Sequence, residues 1–313
     1  MATADAGSAQ TTSGRGREWE IWKGRALLYL LRLWEIFRKL LRSRVGFTGL
    51  FIVVGFILLA AAAPFFAGPH PNSREAFRDT PLLAPSFSHF LGTDWQGRDL
   101  FALVVYGSQV SLIVGLAASF VSIVVGTAVG LVGGYYGRIV DQVLARATDF
   151  FLVIPWLPFV IVIAAILGPG FLTTVIAIAV VSWPSTARIV RSQVLSIKTR
   201  PFITRARAIG ANDLHILRSH VVPVIAPLVF ANAVLTVSVA IFTESFLSFF
   251  GLGDPTTVSW GKIIQEAYDH QVAFGGMWWY FGPPGVSVSV LVLGFSMVSY
   301  ALEEILNPRL RKR

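Results

Sequence analysis

Apolar residues in this chain fall into long uncharged runs, and most of the charge is gathered in the short stretches between them. A helix needs about 20 consecutive apolar residues to cross a hydrocarbon core of about 30 Å. Val45–Phe66 predicts a first span. Ser108–Val132, inside an uncharged stretch from Leu100 to Gly137, predicts a second. Phe150–Ala187 is again uncharged and long enough for two helices. Gly168-Pro169-Gly170 divides it into a third span near Phe150–Leu167 and a fourth near Phe171–Ile189. Val224–Phe246 and Pro284–Leu302 predict the fifth and sixth. Helices satisfy their own backbone groups in lipid, so the expected fold class is all-α, a polytopic membrane domain of six transmembrane helices over residues 45–306.

The intervening stretches have patterns of their own. Residues 1–18 open with small polar residues and read as a disordered cytosolic tail. No basic segment followed by an apolar one marks them as a signal peptide. Residues 19–44 interleave Trp19, Trp22, Trp34, Phe37 and Leu41 with Lys23, Arg25, Arg32, Arg38, Lys39 and Arg42. The longest charge-free run there, Ala26–Leu31, is too short to span, so this segment is expected to lie on the membrane surface with its cations toward lipid headgroups. A Pro-rich external loop leads into the polar, turn-rich stretch His89–Asp99. Trp260–Asp269 predicts a short amphipathic helix, and Trp278, Trp279 and Tyr280 an interfacial aromatic belt. Gly115, Gly126, Gly130, Gly133 and Gly134 in the second span suggest close helix packing.

Between spans four and five lies a basic island, Phe202–Pro223. Its punctuation predicts two short helices around a turn. Gly210 serves as the left-handed residue closing the first helix, Asn212 or Asp213 caps the second, and Pro223 ends it.

Charge then sets orientation. The chain carries a net charge of +9, and 22 of its 26 Lys and Arg fall on the side that holds both termini. Arg74, Arg78, Arg98 and Lys262 fall on the other, so the termini, the basic tail 307–313 and the island are expected to be cytoplasmic. This accounts for the positive charge without nucleic acid. The island also has spans on both sides, with no room for the third helix of a DNA-reading domain.

Candidate chemistry is sparse. There is no cysteine, no phosphate-binding GxxxxGK[ST] loop and no HExxH, and the five histidines are scattered over loops. The chain is therefore expected to be non-catalytic, with no metal site and no cofactor of its own. Any nucleotide that drives it binds another chain. The span cores are nearly free of ionisable residues, which disfavours a secondary transporter or channel. The lack of clustered nucleophiles disfavours a membrane-embedded enzyme. Glu244, near the outer end of span five, reads either as a functional intramembrane carboxylate or as a group hydrogen-bonded to Ser245 or Ser248. Asp149 reads as a helix-start carboxylate beside Arg146.

Four stretches then form a recognisable series. Leu91-Gly-Thr-Asp-Trp-Gln-Gly-Arg-Asp99 precedes Tyr106-Gly-Ser-Gln-Val-Ser-Leu112. Ala206-Arg-Ala-Ile-Gly210-Ala-Asn-Asp213 is followed by His220 and Pro223. Thr243-Glu-Ser-Phe-Leu-Ser-Phe-Phe-Gly-Leu-Gly253 precedes Ser259-Trp-Gly261, and Asn307-Pro-Arg-Leu310 closes the chain. From about Phe47 onward the sequence resembles the permease subunits of dipeptide/oligopeptide ABC importers. The island resembles their "EAA" loop, with Thr204-Arg205 in place of the usual Glu-Ala. The resemblance implies half of a translocation pore in the plasma membrane, completed by a second homologous permease in a heterodimer. It also implies two cytosolic ATPases that bind ATP and magnesium, and an external substrate-binding protein. Peptide is the implied cargo, although relatives of this architecture carry nickel or oligosaccharides. Ala206, Arg207, Ala208, Gly210, Ala211, Asp213, His220 and Pro223 would couple to the ATPase. Asp94, Arg98, Asp99 and Glu244 would gate the pore or meet the binding protein, with a local salt-bridged turn as the other reading of Trp95, Arg98 and Asp99.

Overall fold

A computed structural model describes residues 34–73, 76–77, 79–272 and 275–306. The predicted tails 1–18 and 307–313, and residues 19–33 of the predicted surface helix, lie outside the described residues. The described chain is helical: α1 (34–42), α2 (Arg44–Ala61), α3 (Ala63–Phe66), α4 (Leu100–Tyr136), α5 (Arg138–Val153), α6 (Trp156–Leu167) and α7 (Phe171–Lys198). Then follow α8 (Pro201–Ala208), α9 (Asp213–Ile216), α10 (Val222–Phe249), α11 (Trp260–Asp269) and α12 (Trp278–Leu306). No strand occurs among the described residues.

Helices α2, α4, α7, α12 and the continuous stretch Asp213–Phe249 are long and apolar enough to cross a membrane. The predicted third span differs. In place of one helix over Phe150–Leu167, α5 and α6 meet at a bend of 95°, and neither helix alone is long and apolar enough to cross; only as a pair, a broken span or a re-entrant loop, do they match the length and composition of a sixth. The cause is local. Pro155 has no N–H to donate, and its ring drives Ile154 out of the helical region to ψ 129°. Asp149 therefore lies late in α5, and it pairs across to Arg188 of α7 at 2.8 Å rather than with Arg146 at a helix start.

Helix α4 is the centre of the bundle. Its 37 residues extend about 55 Å at 1.5 Å per residue, well past the hydrocarbon core at both ends. The glycine stripe lets α7 pack directly on it. A Cβ on Gly126 would stand 2.6 Å from the Trp183 carbonyl oxygen, one on Gly130 2.6 Å from that of Ala187, and one on Gly134 2.9 Å from Val194 Cβ. Without a hydrophobic driving force between helices in lipid, such backbone approach is a main source of association. Polar side chains add cross-links. Asn232 Nδ2 of α10 donates to Thr186 Oγ1 of α7, Ser299 of α12 to the Ala231 carbonyl, Gln109 of α4 to the Ala60 carbonyl, and Lys198 to the Gly134 carbonyl.

The α4–α7 contact yields a direct test. Gly130→Leu forces the two backbones apart and is expected to cost about 1–3 kcal/mol, lowering the melting temperature of the detergent-purified protein by several degrees. Gly55→Leu on α2, where a Cβ meets nothing within 4 Å, is the control and leaves melting unchanged.

Candidate functional site

The basic island forms a helical hairpin at the end of the bundle where α4 finishes. Helix α8 begins with Pro201 in its first turn, where a missing N–H costs nothing. It ends in a Schellman turn: Gly210 N donates to the Arg207 carbonyl and Ala211 N to that of Ala206, with Gly210 at φ +88°. Asn212 is the cap of α9, accepting from His215 N at 2.8 Å. Asp213 is not the cap. It is the first residue inside α9, and its Oδ1 accepts from the Tyr135 hydroxyl of α4 at 2.7 Å. Arg207 Nη2 donates to the same hydroxyl at 3.3 Å and stands 4.0 Å from Asp213. These contacts hold the Arg207 guanidinium above its ordinary range.

Pro223 does not end the second helix either. Residues Leu217–Val221 form one π turn, and the chain runs through it into α10 with Pro223 in the first turn. Val222 N bonds back five residues to the Leu217 carbonyl. That wider turn makes room for a proline ring within a continuing helix. The hairpin is thus a rigid extension of α10, and His220 sits on it between the rings of Phe202 and His215.

Burial divides the hairpin residues. Ala206 faces inward with Ile203, Ile216, Val221 and Ile225, against Val190, Val194 and Tyr135. Ala208, Gly210 and Asp213 face outward, and Ala211 is half-buried. The most exposed apolar side chains of the tip were not singled out by the sequence pattern: Ile209 is 85% exposed and Leu214 72%, among exposed Arg205, Arg207 and Arg218. Their signal is visible only in hindsight, as two bulky aliphatics flanking a Gly-Ala-Asn-Asp turn.

At the opposite end of α4, the stretch Leu91–Asp99 folds into a tight turn. Asp94 Oδ1 accepts from Gln96 N and Arg98 N at 2.8 and 2.7 Å, and its Oδ2 from Arg98 Nε at 2.5 Å. Gly97 adopts φ +80° with its α-carbon against the Asp79 carbonyl, where a Cβ would collide. Arg98 Nη2 donates to Glu266 of α11 at 2.9 Å, and Trp95 stacks on His270 at 4.1 Å. Asp99 caps α4 through Ala102 N and meets His89 Nδ1 at 2.8 Å. Asp94 is fully buried and Arg98 is 5% exposed, so neither offers a face to an external protein; their charges are spent on the turn and on Glu266. Burial pushes the Glu266 carboxyl above its ordinary range although Arg98 pulls it down, and burial lowers Lys262.

Glu244 is buried at 2% exposure between α10 and α4. It accepts from Ser111 at 2.9 Å, Ser248 at 2.8 Å and Ser245 at 3.3 Å, so the hydrogen-bonded reading holds, with Ser111 an additional donor from α4. Close packing surrounds it. A Cβ on Gly115 would collide with Ile241, one on Gly253 with Ser248, and one on Gly261 with the Ser245 carbonyl. Trp260 seals the cluster, fully buried, with its Nε1 donating to the Val104 carbonyl. Tyr280 is fully buried in the neighbouring core and is not part of an aromatic belt, whereas Trp278 is exposed.

Helices long and apolar enough to cross a membrane, an exposed hairpin continuous with one of them and a tightly packed cluster at the opposite end of α4 make up a polytopic membrane domain. The profile of the family described as "Binding-protein-dependent transport system inner membrane component" matches residues 122–312, and that of the "N-terminal TM domain of oligopeptide transport permease C" matches residues 32–85. The dipeptide transport system permease protein DppC of Bacillus subtilis is 33% identical over 299 residues, covering 95% of this chain and 91% of the relative. DppC of Alkalihalophilus pseudofirmus is 36% identical over 284 residues, covering 88% and 90%. The oligopeptide transport system permease protein OppC of B. subtilis is 34% identical, covering 90% and 92%. A solved chain of the MetNI methionine ABC transporter in an inward-facing conformation superposes with a TM-score of 0.52 at 21% identity, over 68% of this chain and 98% of that one, which is a likeness of fold. The chain belongs to the family of inner membrane components of binding-protein-dependent transport systems.

The outer turn generates a pH-dependent prediction. Arg98→Met leaves Asp94 and Glu266 buried without the guanidinium and is expected to cost about 3–5 kcal/mol at neutral pH. The Glu266 carboxyl, raised by burial and no longer pulled down by Arg98, then holds its proton more tightly in the folded state than in the unfolded one, so stability rises as pH falls through its raised pKa. Thermal melts of the variant from pH 8 down to about pH 5 should recover part of the loss, while the parent shows a smaller gain.

Proposed function

We propose that this chain forms half of the translocation pore of an ATP-driven importer for peptides, with both termini and the hairpin cytoplasmic. Its pore partner is a second, homologous permease. Two cytosolic ATPases bind ATP and magnesium and dock on the hairpins, and an external binding protein delivers cargo. The observation that carries the reading is the hairpin tip. Ile209 and Leu214 are exposed on the same hairpin as the exposed Arg205, Arg207 and Arg218, an element that has no membrane to cover it once the positive charge is cytoplasmic. Peptide as cargo rests on relatives named for dipeptide and oligopeptide transport.

The mechanism follows from how the tip is held. The Gly210 turn fixes the angle between α8 and α9, and the π turn fuses α9 to α10. Tyr135 ties Asp213 and Arg207 to α4. A push on the tip by a closing ATPase dimer would therefore reach α10 and α4 as a rigid-body motion. Ala206 contributes from inside, as a small residue that lets α8 lie on the core. Ala208, Gly210, Ala211 and Arg207 line the face toward the ATPase, and His220 and Pro223 lie at the hairpin's base. Asp94, Arg98, Asp99 and Glu244 act as fasteners that hold the outer ends of α4, α10 and α11 in register during that motion.

Two experiments test this reading. In the complex reconstituted with its second permease, ATPases and binding protein, Ile209→Asp with Leu214→Asp is expected to abolish ATPase co-purification and lower substrate-stimulated ATP hydrolysis at least about tenfold. Normal assembly and hydrolysis would refute the docking role, and uptake that ignores ATP but collapses with an ion gradient would refute the importer reading as a whole. Tyr135→Phe keeps the ring and removes the hydroxyl. ATPase binding should survive, while peptide uptake per ATP hydrolysed falls, measured in proteoliposomes with labelled dipeptide.

A further inference from the structure

The first described helix carries a feature that neither docking nor the pore uses. On α1, Glu35, Arg38, Lys39 and Arg42 share one face by their i, i+3, i+4, i+7 spacing, and line an open cleft of about 270 Å³. Trp34, Phe37 and Leu41 share the adjacent face and are all exposed. The third face is spent on the protein: Leu40 is buried against α12, and Gly46 admits it so closely that a Cβ there would stand 2.7 Å from Leu40 Cδ1 and 3.1 Å from Ala301 Cβ. The helix is therefore set at a fixed angle on the bundle, with its cations held at the level where α2 begins.

Below the cleft, α2 bears a second groove of about 230 Å³. It starts at Leu41, beside Arg42, and runs down between Phe47, Phe51, Val54 and Leu58. Gly55 opens its floor, since a Cβ there meets nothing within 4 Å. From Phe47 to Leu58 the groove follows about 16 Å of helix, comparable to the length of an acyl chain. A cationic cleft that includes Arg42 and an apolar groove that starts at the neighbouring Leu41 match the two ends of a single phospholipid. Three cations against one carboxylate select a headgroup with net negative charge over a zwitterionic one.

We propose that α1 and α2 form a binding site for an anionic phospholipid, with its phosphate among Arg38, Lys39 and Arg42 and one acyl chain along the Gly55 groove. Glu35 faces the headgroup edge, where it tolerates a glycerol hydroxyl and disfavours a second phosphate. The site requires only that α2 crosses the membrane, and is independent of cargo and of the ATPase.

The full chain, purified in detergent, is exchanged into mixed micelles holding equal amounts of phosphatidylglycerol and phosphatidylcholine, and its retained lipid is counted by native mass spectrometry. Phosphatidylglycerol should be retained over phosphatidylcholine by about tenfold or more. The triple variant Arg38→Gln, Lys39→Gln, Arg42→Gln should lose that preference. Gly55→Phe, which fills the groove without touching charge, should lose the lipid while melting as the parent does. Equal retention of the two lipids, or undiminished retention of phosphatidylglycerol in either variant, overturns the site.

Discussion

How closely α4 can approach its neighbours decides the rest of this molecule. In lipid, helices gain little by hiding apolar surface from one another, because the surrounding acyl chains are just as apolar. What remains is backbone contact, interhelical hydrogen bonding and shape. Gly126, Gly130 and Gly134 supply the contact with α7, and Gly115 supplies it with α10. Because α4 is longer than the membrane is thick, the same rigid element reaches the hairpin at one end and the charged turn at the other. A change in packing along its middle is therefore felt at both.

The outer end shows why so much polarity is tolerated there. Glu244 has three hydroxyl donors, Asp94 has two backbone donors and a guanidinium, and Arg98 is shared between two carboxylates. Buried charge is costliest when it is left unpaired, and here each group has a partner: Asp94 within its own turn, Arg98 and Glu244 also across to a second helix. The four outer sequence stretches that first looked like separate motifs are one object. Leu91–Asp99 and Tyr106–Leu112 meet Thr243–Gly253 and Ser259–Gly261 around Trp260. Their glycines are contact points, Gly107 against Trp260, Gly253 against Ser248 and Gly261 against the Ser245 carbonyl. The spacing of these stretches along the chain reflects helix lengths, and their composition reflects a single packed cluster.

Sites legible in the sequence were those whose chemistry is local. The Gly210 turn and the short helix Trp260–Asp269 follow from a few adjacent residues, and they form where the pattern puts them. The misreadings share one cause, a partner far away in sequence. Asp213 looked like a cap because the competing donor, Tyr135, lies 78 residues earlier. Arg98 was legible as part of a salt-bridged turn, but its second partner, Glu266, lies 168 residues later and left contact with an external protein open as the other reading. Tyr280 looked like a belt residue because nothing beside it in sequence shows the core that encloses it. Pro223 looked like a stop because proline usually is one, and a π turn upstream makes room for it.

By itself the sequence determined the rough position of the apolar helices and the existence of a punctuated basic hairpin between two of them. Each of these depends on the composition of a short window set against the thickness and surface charge of a membrane. Only the tertiary structure decided that α5 and α6 meet at a bend of 95°, that the hairpin is continuous with α10, that Ile209 and Leu214 are left exposed at its tip, and that Asp94 and Glu266 share Arg98 across two elements. Those outcomes turn on which surfaces are left over once α4, α7, α10 and α12 have packed, and leftover surface is a property of the assembled bundle, not of any one segment.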